Sequence, residues 1–200
     1  MPIQTIYFAT TNAGKLKEAA ALLGIEVLEC GLEIAEIQSL DPVKVGVTKA
    51  RDYYAQLHKP ILVEDVSLTF TALNGLPGPY INDFSKALGN PGLIGLLNSK
   101  SDRTATAQTT LVFLGGQEQE HIFTGVIKGS ISGSPAGDNG FGWDPIFIPD
   151  GHTKTFAQMT DAEKNTCSMR ALAFQQFKTW LKSLFLVKLK HFGIVAQFRP

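Results

Sequence analysis

Residues 61–84, ILVEDVSLTFTALNGLPGPYINDF, run an apolar segment, Ile61-Leu62-Val63, straight into two adjacent carboxylates, Glu64 and Asp65. A second β-like segment from Ser67 to Leu73 follows, and then the stiff turn Gly75-Leu76-Pro77-Gly78-Pro79-Tyr80. A short apolar run bounded by turn chemistry reads as a buried strand. Carboxylates at the end of such a strand are costly unless they are solvated, paired or holding a cation. The stretch therefore puts a buried strand in the middle of the chain and a candidate site at its end.

Working outward, Ile3 to Ala9 is a short strand, and Asn12 is placed to N-cap a helix through Lys15-Leu16-Lys17-Glu18 to Leu23, stopped by Gly24. Ile25 to Glu29 reads as a second strand. Helical spacing returns from Pro42 to Leu57, with Val43, Val47, Ala50 and Tyr54 on one face. Tyr80 to Leu88 and Pro91 to Leu97 are two short helices separated by Gly89-Asn90. Thr104 to Leu114 and His121 to Lys128 are strand-like and joined across Gly115-Gly116-Gln117, a hairpin signal. The glycine-rich stretch 129–144 ends in Phe-Gly-Trp-Asp-Pro and reads as a functional loop. A last helix runs from Asp161, with Leu172, Phe177, Trp180, Leu181 and Leu184 at helical spacing. No repeat, low-complexity tract or domain boundary interrupts this order, so the 200 residues read as one mixed α/β unit.

At 44% hydrophobic and 18% charged, the chain has ample material for a core, which argues against disorder. Its 18 basic residues balance 18 acidic ones, so it lacks the broad positive field of a nucleic-acid-binding protein. There is no secretory signature and no apolar span of the ~20 residues that cross a bilayer, so no membrane role is expected. Cys30 and Cys167 form no CxxC, and His58, His121, His152 and His191 are scattered. Free thiols in a reducing cytoplasm, and no zinc, are the expectation.

Four segments carry chemistry. Thr10-Thr11-Asn12-Ala13-Gly14-Lys15 is a polar turn into a helix, whose unpaired N–H groups suit phosphate. It lacks the glycine spacing of a Walker A loop, and an ordinary capped helix explains it equally well. Glu36, Glu64 and Asp65 offer the oxygen ligands that Mg²⁺ takes, with surface acids at a strand end as the alternative. Gly140-Phe141-Gly142-Trp143-Asp144-Pro145 offers aromatic faces on which a purine stacks for roughly 1–3 kcal/mol, or else an aromatic plug for the core. Lys164-Asn165-Thr166-Cys167-Ser168-Met169-Arg170 offers cations for phosphate and base, or else a solvated basic face.

Together the segments say more than each does alone. Thr-Thr-Asn-x-x-Lys, Val-Glu-Asp, Leu-Asn-Gly-Leu-Pro-Gly-Pro-Tyr, Phe-Gly-Trp-Asp-Pro, Phe-Ala-x-Met and Lys-Asn-x-x-Ser-x-Arg follow one another through residues 10–170. In this order they resemble the inosine triphosphate pyrophosphatase family, over most of the chain. The resemblance implies an α/β fold with an elongated mixed central sheet, flanking helices and two lobes around a deep nucleotide cleft. It also implies a homodimer and Mg²⁺-dependent hydrolysis of ITP, dITP and XTP at the α-phosphate, giving the nucleoside monophosphate and pyrophosphate. By the same resemblance Glu36 and Asp65 hold Mg²⁺, and Asp65 orients or deprotonates the attacking water, with Glu64 beside it on the cleft floor. Thr10, Thr11, Asn12, Lys15, Lys49 and Lys164 contact the triphosphate. Phe141 stacks on the base, while Gly142, Trp143, Asp144, Ser168, Met169 and Arg170 shape or read its edge.

The sequence departs from the family pattern in three places. Ser168-Met169-Arg170 stands where the family has Ser-His-Arg, Asn82 stands where close relatives often carry lysine, and residues after about 186 form a C-terminal extension. Two further readings stay open: a purine nucleotide-binding protein without turnover, and a pyrophosphatase for other modified nucleotides.

Overall fold

The strand that begins at Ile61 does not stop at the acids. In the computed structural model, which describes residues 5–115 and 120–191 and side chains of the last helix through Leu184, it continues to Phe70. The elements in chain order are β1 (Thr5–Ala9), α1 (Ala13–Leu23), β2 (Glu26–Glu29), α2 (Pro42–Leu57), β3 (Ile61–Phe70), β4 (Pro77–Gly78), α3 (Ile81–Gly95), β5 (Thr104–Leu114), β6 (Glu120–Ile131), β7 (Phe147–Pro149), α4 (Asp161–Cys167) and α5 (Met169–His191). They build the expected mixed sheet, ordered β2-β1-β3-β5-β6-β7, with β4 also on β3. β1 is parallel to β2 and β3, and every other pairing is antiparallel.

The register makes the site. β5 accompanies β3 along its whole length, from Ile61↔Leu114 to Phe70↔Ala105. On the other edge β1 ends with Ala9↔Val63, and β4 begins only at Leu68↔Gly78. Among the described residues, Glu64 to Ser67 therefore have no strand on that edge. The sheet carries a notch, and the two acids lie in it.

Side chains alternate across β3, as the pleat requires. Leu62 joins Ile6, Phe8, Leu111 and Phe123 beneath Ala19 and Leu23 of α1 and Phe174 and Phe177 of α5. Ile61 and Val63 face the opposite way, with Ala9, Val112 and Leu114 beneath Ala50 and Tyr53 of α2. Beyond the notch, Leu68 and Phe70 enter a third cluster with Leu93, Ile94, Trp143, Phe147, Phe156 and Met169. These clusters are the cores of the two expected lobes, tied together by the long β5–β6 ladder.

Several local readings need correction. The apolar run from Ile61 and the β-like segment from Ser67 are one strand with a 3₁₀ turn at Thr71–Leu73, because β5 pairs straight through Val66. The buried face of α2 is Val45, Gly46, Ala50 and Tyr53, rotated from the Val43 face. Gly46 sets that rotation, since a Cβ there would stand 3.0 Å from Val112. The helix expected from Asp161 breaks at Ser168 (φ −82°, ψ 150°), whose Oγ accepts the Ala171 N–H at 3.1 Å and starts α5. Phe177 is buried as expected, but Leu172 and Leu184 are exposed. β7, which pairs with Gly129–Ile131, was not foreseen. Gly89 (φ 63°, ψ 178°) kinks α3 into the two expected halves. The expected start at Ile3, Gly116-Gln117 of the hairpin turn and most of the C-terminal extension lie outside the described residues.

Candidate active site

A cleft of roughly 650 Å³ opens at the notch. One wall is the turn from β1 into α1. The Asn12 side chain accepts from the Gly14 and Lys15 N–H groups at 2.9 and 3.2 Å, and Thr10 Oγ1 accepts from the Asn12 N–H at 3.1 Å. These bonds hold the N-terminus of α1, with its partial positive charge, against the cleft. Thr10, Thr11, Asn12 and Lys15 all line it.

The pleat sends the two acids to opposite faces of the sheet, and their conditions diverge. Glu64 turns toward α1 and α5, where Arg170 grips it through Nε and Nη2 at 2.9 and 2.8 Å and Lys15 stands 3.2 Å away. Burial pushes its carboxyl up, but Arg170 and Lys15 outweigh that and hold it at about 2. Asp65 turns toward α2, near Lys49 and Glu36, which pair with each other. Its Oδ2 is buried with no hydrogen-bond partner among the described residues. Burial lifts its carboxyl to about 7, against the pull of Lys49 and Lys15, and Glu36 and Glu64 push the same way as burial. The fold thus sets the two adjacent acids apart: its cations hold Glu64 as an anion, whereas burial favours the neutral form of Asp65.

The opposite end of the cleft is the loop at 140–144. Asp144 Oδ2 accepts from the Phe141 N–H at 2.8 Å and from Lys164 Nζ at 2.6 Å. Phe141 is half-buried and lines the cleft, with Lys164 Nζ 4.8 Å and Arg170 Cζ 5.2 Å from its ring centroid. Gly14 leaves the ring its place, because a Cβ there would meet it at 2.5 Å. Trp143 is the plug: it packs on Phe147 and Phe156 at centroid distances of 5.5 and 6.4 Å, is buried, and also lines the cleft.

The structure brings most of the expected residues to one cleft: Thr10, Thr11, Asn12, Lys15, Glu36, Lys49, Glu64, Asp65, Phe141, Gly142, Trp143, Asp144, Met169 and Arg170. It sets two apart. Lys164 is buried behind the Phe141 ring, held by Asp144 and by Glu18 at 2.9 Å, and is not on the cleft wall. Ser168 is likewise buried and serves to start α5. Arg170 reaches the cleft with three of its five N–H donors already engaged by Glu64 and Glu18. Its guanidinium stays charged, because those carboxylates outweigh the effect of burial. Met169 is 2% exposed, in the apolar cluster with Trp143 and Phe156.

Glu18 is the residue that sequence reasoning missed. It joins Lys164 and Arg170, completing a chain of alternating charge, buried except at Lys15 and Glu18, which are half-buried: Lys15, Glu64, Arg170, Glu18, Lys164, Asp144. Its one signal was spacing, since Lys15 and Glu18 are three apart on α1 and share a face.

Fold and site together define a two-lobed α/β protein with a cleft of mixed charge at a break in its sheet. The chain belongs to the Ham1 family, whose model matches residues 6–180. It is 40% identical over 181 residues to the inosine triphosphate pyrophosphatase of Yarrowia lipolytica, covering 88% of this chain and 95% of that one. It is 38% identical over 181 residues to the dITP/XTP pyrophosphatase of Methanopyrus kandleri, covering 89% and 96%. Among solved structures, the HAM1 protein of Coxiella burnetii matches with a TM-score of 0.79 at 30% identity, over 90% of this chain and 98% of that one.

Proposed function

We propose that this chain is a nucleoside triphosphate pyrophosphatase that hydrolyses ITP, dITP and XTP to the nucleoside monophosphate and pyrophosphate. The observation that carries this reading is Asp65: a buried acid with an oxygen unpartnered among the described residues, in a cleft walled by a helix N-terminus, Lys15 and Lys49. The names of the relatives support the substrate class.

Mg²⁺ fits this cleft, because one or two carboxylates, water and substrate phosphate make up its usual shell, and an orphaned carboxylate oxygen beside Glu36 supplies the protein share. Asp65 and Glu36 would hold it, and it would supply charge neutralisation on the phosphate oxygens. Asp65 takes the proton of the water attacking the α-phosphorus. The α–β phosphoanhydride bond breaks and pyrophosphate departs. Lys15, Lys49 and the partial positive charge at the N-terminus of α1 hold the phosphates in line. Phe141 carries the base, and the two N–H donors left on Arg170 suit a 6-oxo purine. The amino group of adenine would face them donor to donor, at a cost of about 1–3 kcal/mol.

A homodimer acting in the cytoplasm completes the reading. The family resemblance supports the first, and the free thiols of Cys30 and Cys167 support the second. A monomer mass by sedimentation at micromolar protein would count against the dimer. The decisive assay is pyrophosphate release from ITP, XTP, dITP, GTP and ATP, with Mg²⁺ and with chelator. Release confined to Mg²⁺ and strongest for ITP, dITP and XTP is expected. Nucleotide binding without release, or equal rates with ATP, would overturn the reading.

A further inference from the structure

We propose that Asn90 is a positioning residue that fixes the tip of the base-carrying loop, through the hydrogen bond from its side-chain Nδ2 to the Gly142 carbonyl at 3.0 Å. This rests on the reading of the cleft as a nucleotide site. Asn90 sits just after the Gly89 kink, in the Gly-only conformation that turns α3. Buried side chains lie on both sides of that kink, Ile81 before it and Leu93, Ile94 and Leu97 after it, so the amide projects from a fixed point.

The loop needs such a point. Between Gly140 and Asp144 the chain closes on itself, with the Asp144 N–H on the Phe141 carbonyl at 3.2 Å and the Phe141 N–H on the Asp144 carboxylate. Lys164 anchors the base of this turn through Asp144. Its tip, Gly142, is exposed, has φ 60°, and has open space where a Cβ would be. Asn90 reaches that tip from another element, and Phe141 is the residue just before it. Position of the ring thus depends on two anchors, one charged and one amide.

Asn90 holds its place at a cost. Its Oδ1 is buried and has no hydrogen-bond partner among the described residues, and an apolar side chain would avoid that loss. The donor half of the amide accounts for its presence. A loop held at both ends presents the aromatic face without the entropy of ordering it on binding. That benefit is the same in ground and transition states, so it belongs in KM and in product affinity rather than in kcat.

The test uses the full chain with Mg²⁺ and the variants Asn90→Ala and Asn90→Asp. Aspartate keeps the shape and sets an acceptor against the Gly142 carbonyl, while alanine controls for the added charge. Expected in both are a three- to tenfold rise, on the order of one hydrogen bond, in KM for ITP and in the inhibition constant of inosine monophosphate. kcat and inhibition by inorganic pyrophosphate, which senses only the phosphate wall, should stay within about twofold. Hydrogen exchange at the Phe141 and Asp144 amides should quicken. Unchanged KM and monophosphate inhibition, or pyrophosphate inhibition weakening in parallel, would overturn the proposal. If the wild-type chain fails to hydrolyse ITP, the pyrophosphatase reading falls. The anchor is then judged by hydrogen exchange alone, and unchanged protection at Phe141 and Asp144 overturns it.

Discussion

Replacing Asp65 with asparagine should slow the enzyme and, without Mg²⁺, stabilise the fold at alkaline pH. The carboxyl titrates at 3.8 in an unstructured chain and at about 7 in the folded protein, because burial penalises the anion. Below pH 4 both states are protonated and the residue costs nothing. Between those values the unfolded chain is ionised while the native state keeps its proton. The unfolded state therefore binds fewer protons, and stability falls as pH rises. Above about 7 the full penalty is present. The interval from 3.8 to about 7, at about 1.36 kcal/mol per pH unit, sets a ceiling of about 4 kcal/mol. Asparagine has the same shape and no charge, so its advantage over the wild type should open between pH 4 and 7 and then level off. Urea denaturation of both proteins from pH 4 to 9 in chelator measures this. Mg²⁺ should restore the wild type alone, since a cation that binds only the native state adds stability by mass action. Turnover of ITP by the variant should fall about 10²–10⁴-fold, the usual worth of a positioned base. Parallel stability curves for the two proteins, or a variant with more than a tenth of wild-type turnover, would refute the reasoning.

Glu64→Gln should destabilise by roughly 3–5 kcal/mol, because the buried Arg170 loses its two-point partner, and thermal unfolding reads this directly. The wild-type contribution of Glu64 should be full above pH 4.5 and disappear as pH falls toward about 2, the reverse of Asp65. Gly14→Ala should leave the helix at least as stable, since alanine is the better helix former, yet it must push the Phe141 ring aside. A several-fold rise in KM for ITP without loss of melting temperature is the expected signature, and unchanged KM would remove Phe141 from base binding. Met169→His should raise the preference for ITP over ATP and GTP, measured as kcat/KM ratios, by the ~0.5–1.5 kcal/mol of one hydrogen bond. No gain would make Met169 a packing residue, in keeping with its place beside Trp143 and Phe156.

Much of this protein was legible along the chain, wherever the cause was local. Asn12 as the cap of α1, Gly24 as its stop, the kink at Gly89 and the apolar run at Ile61 follow from dihedral preference and short-range hydrogen bonding, which a few neighbouring residues decide. The motif order from Thr10 to Arg170 led to the family for the same reason, being written in the sequence itself. The division of labour between Glu64 and Asp65 was not legible, although the two are adjacent. It depends on the pleat sending them to opposite faces, and on α5 bringing Arg170 to one face from 106 positions away while α2 brings Lys49 to the other. Nor could spacing tell that Lys164, expected on the triphosphate, would spend its charge on Glu18 and Asp144, or that β1 would stop short of β4 and leave a notch. A side chain's propensity is carried by its own atoms and nearest neighbours. Its charge state and its free valences are set by whatever the fold packs against it, from any distance in the chain.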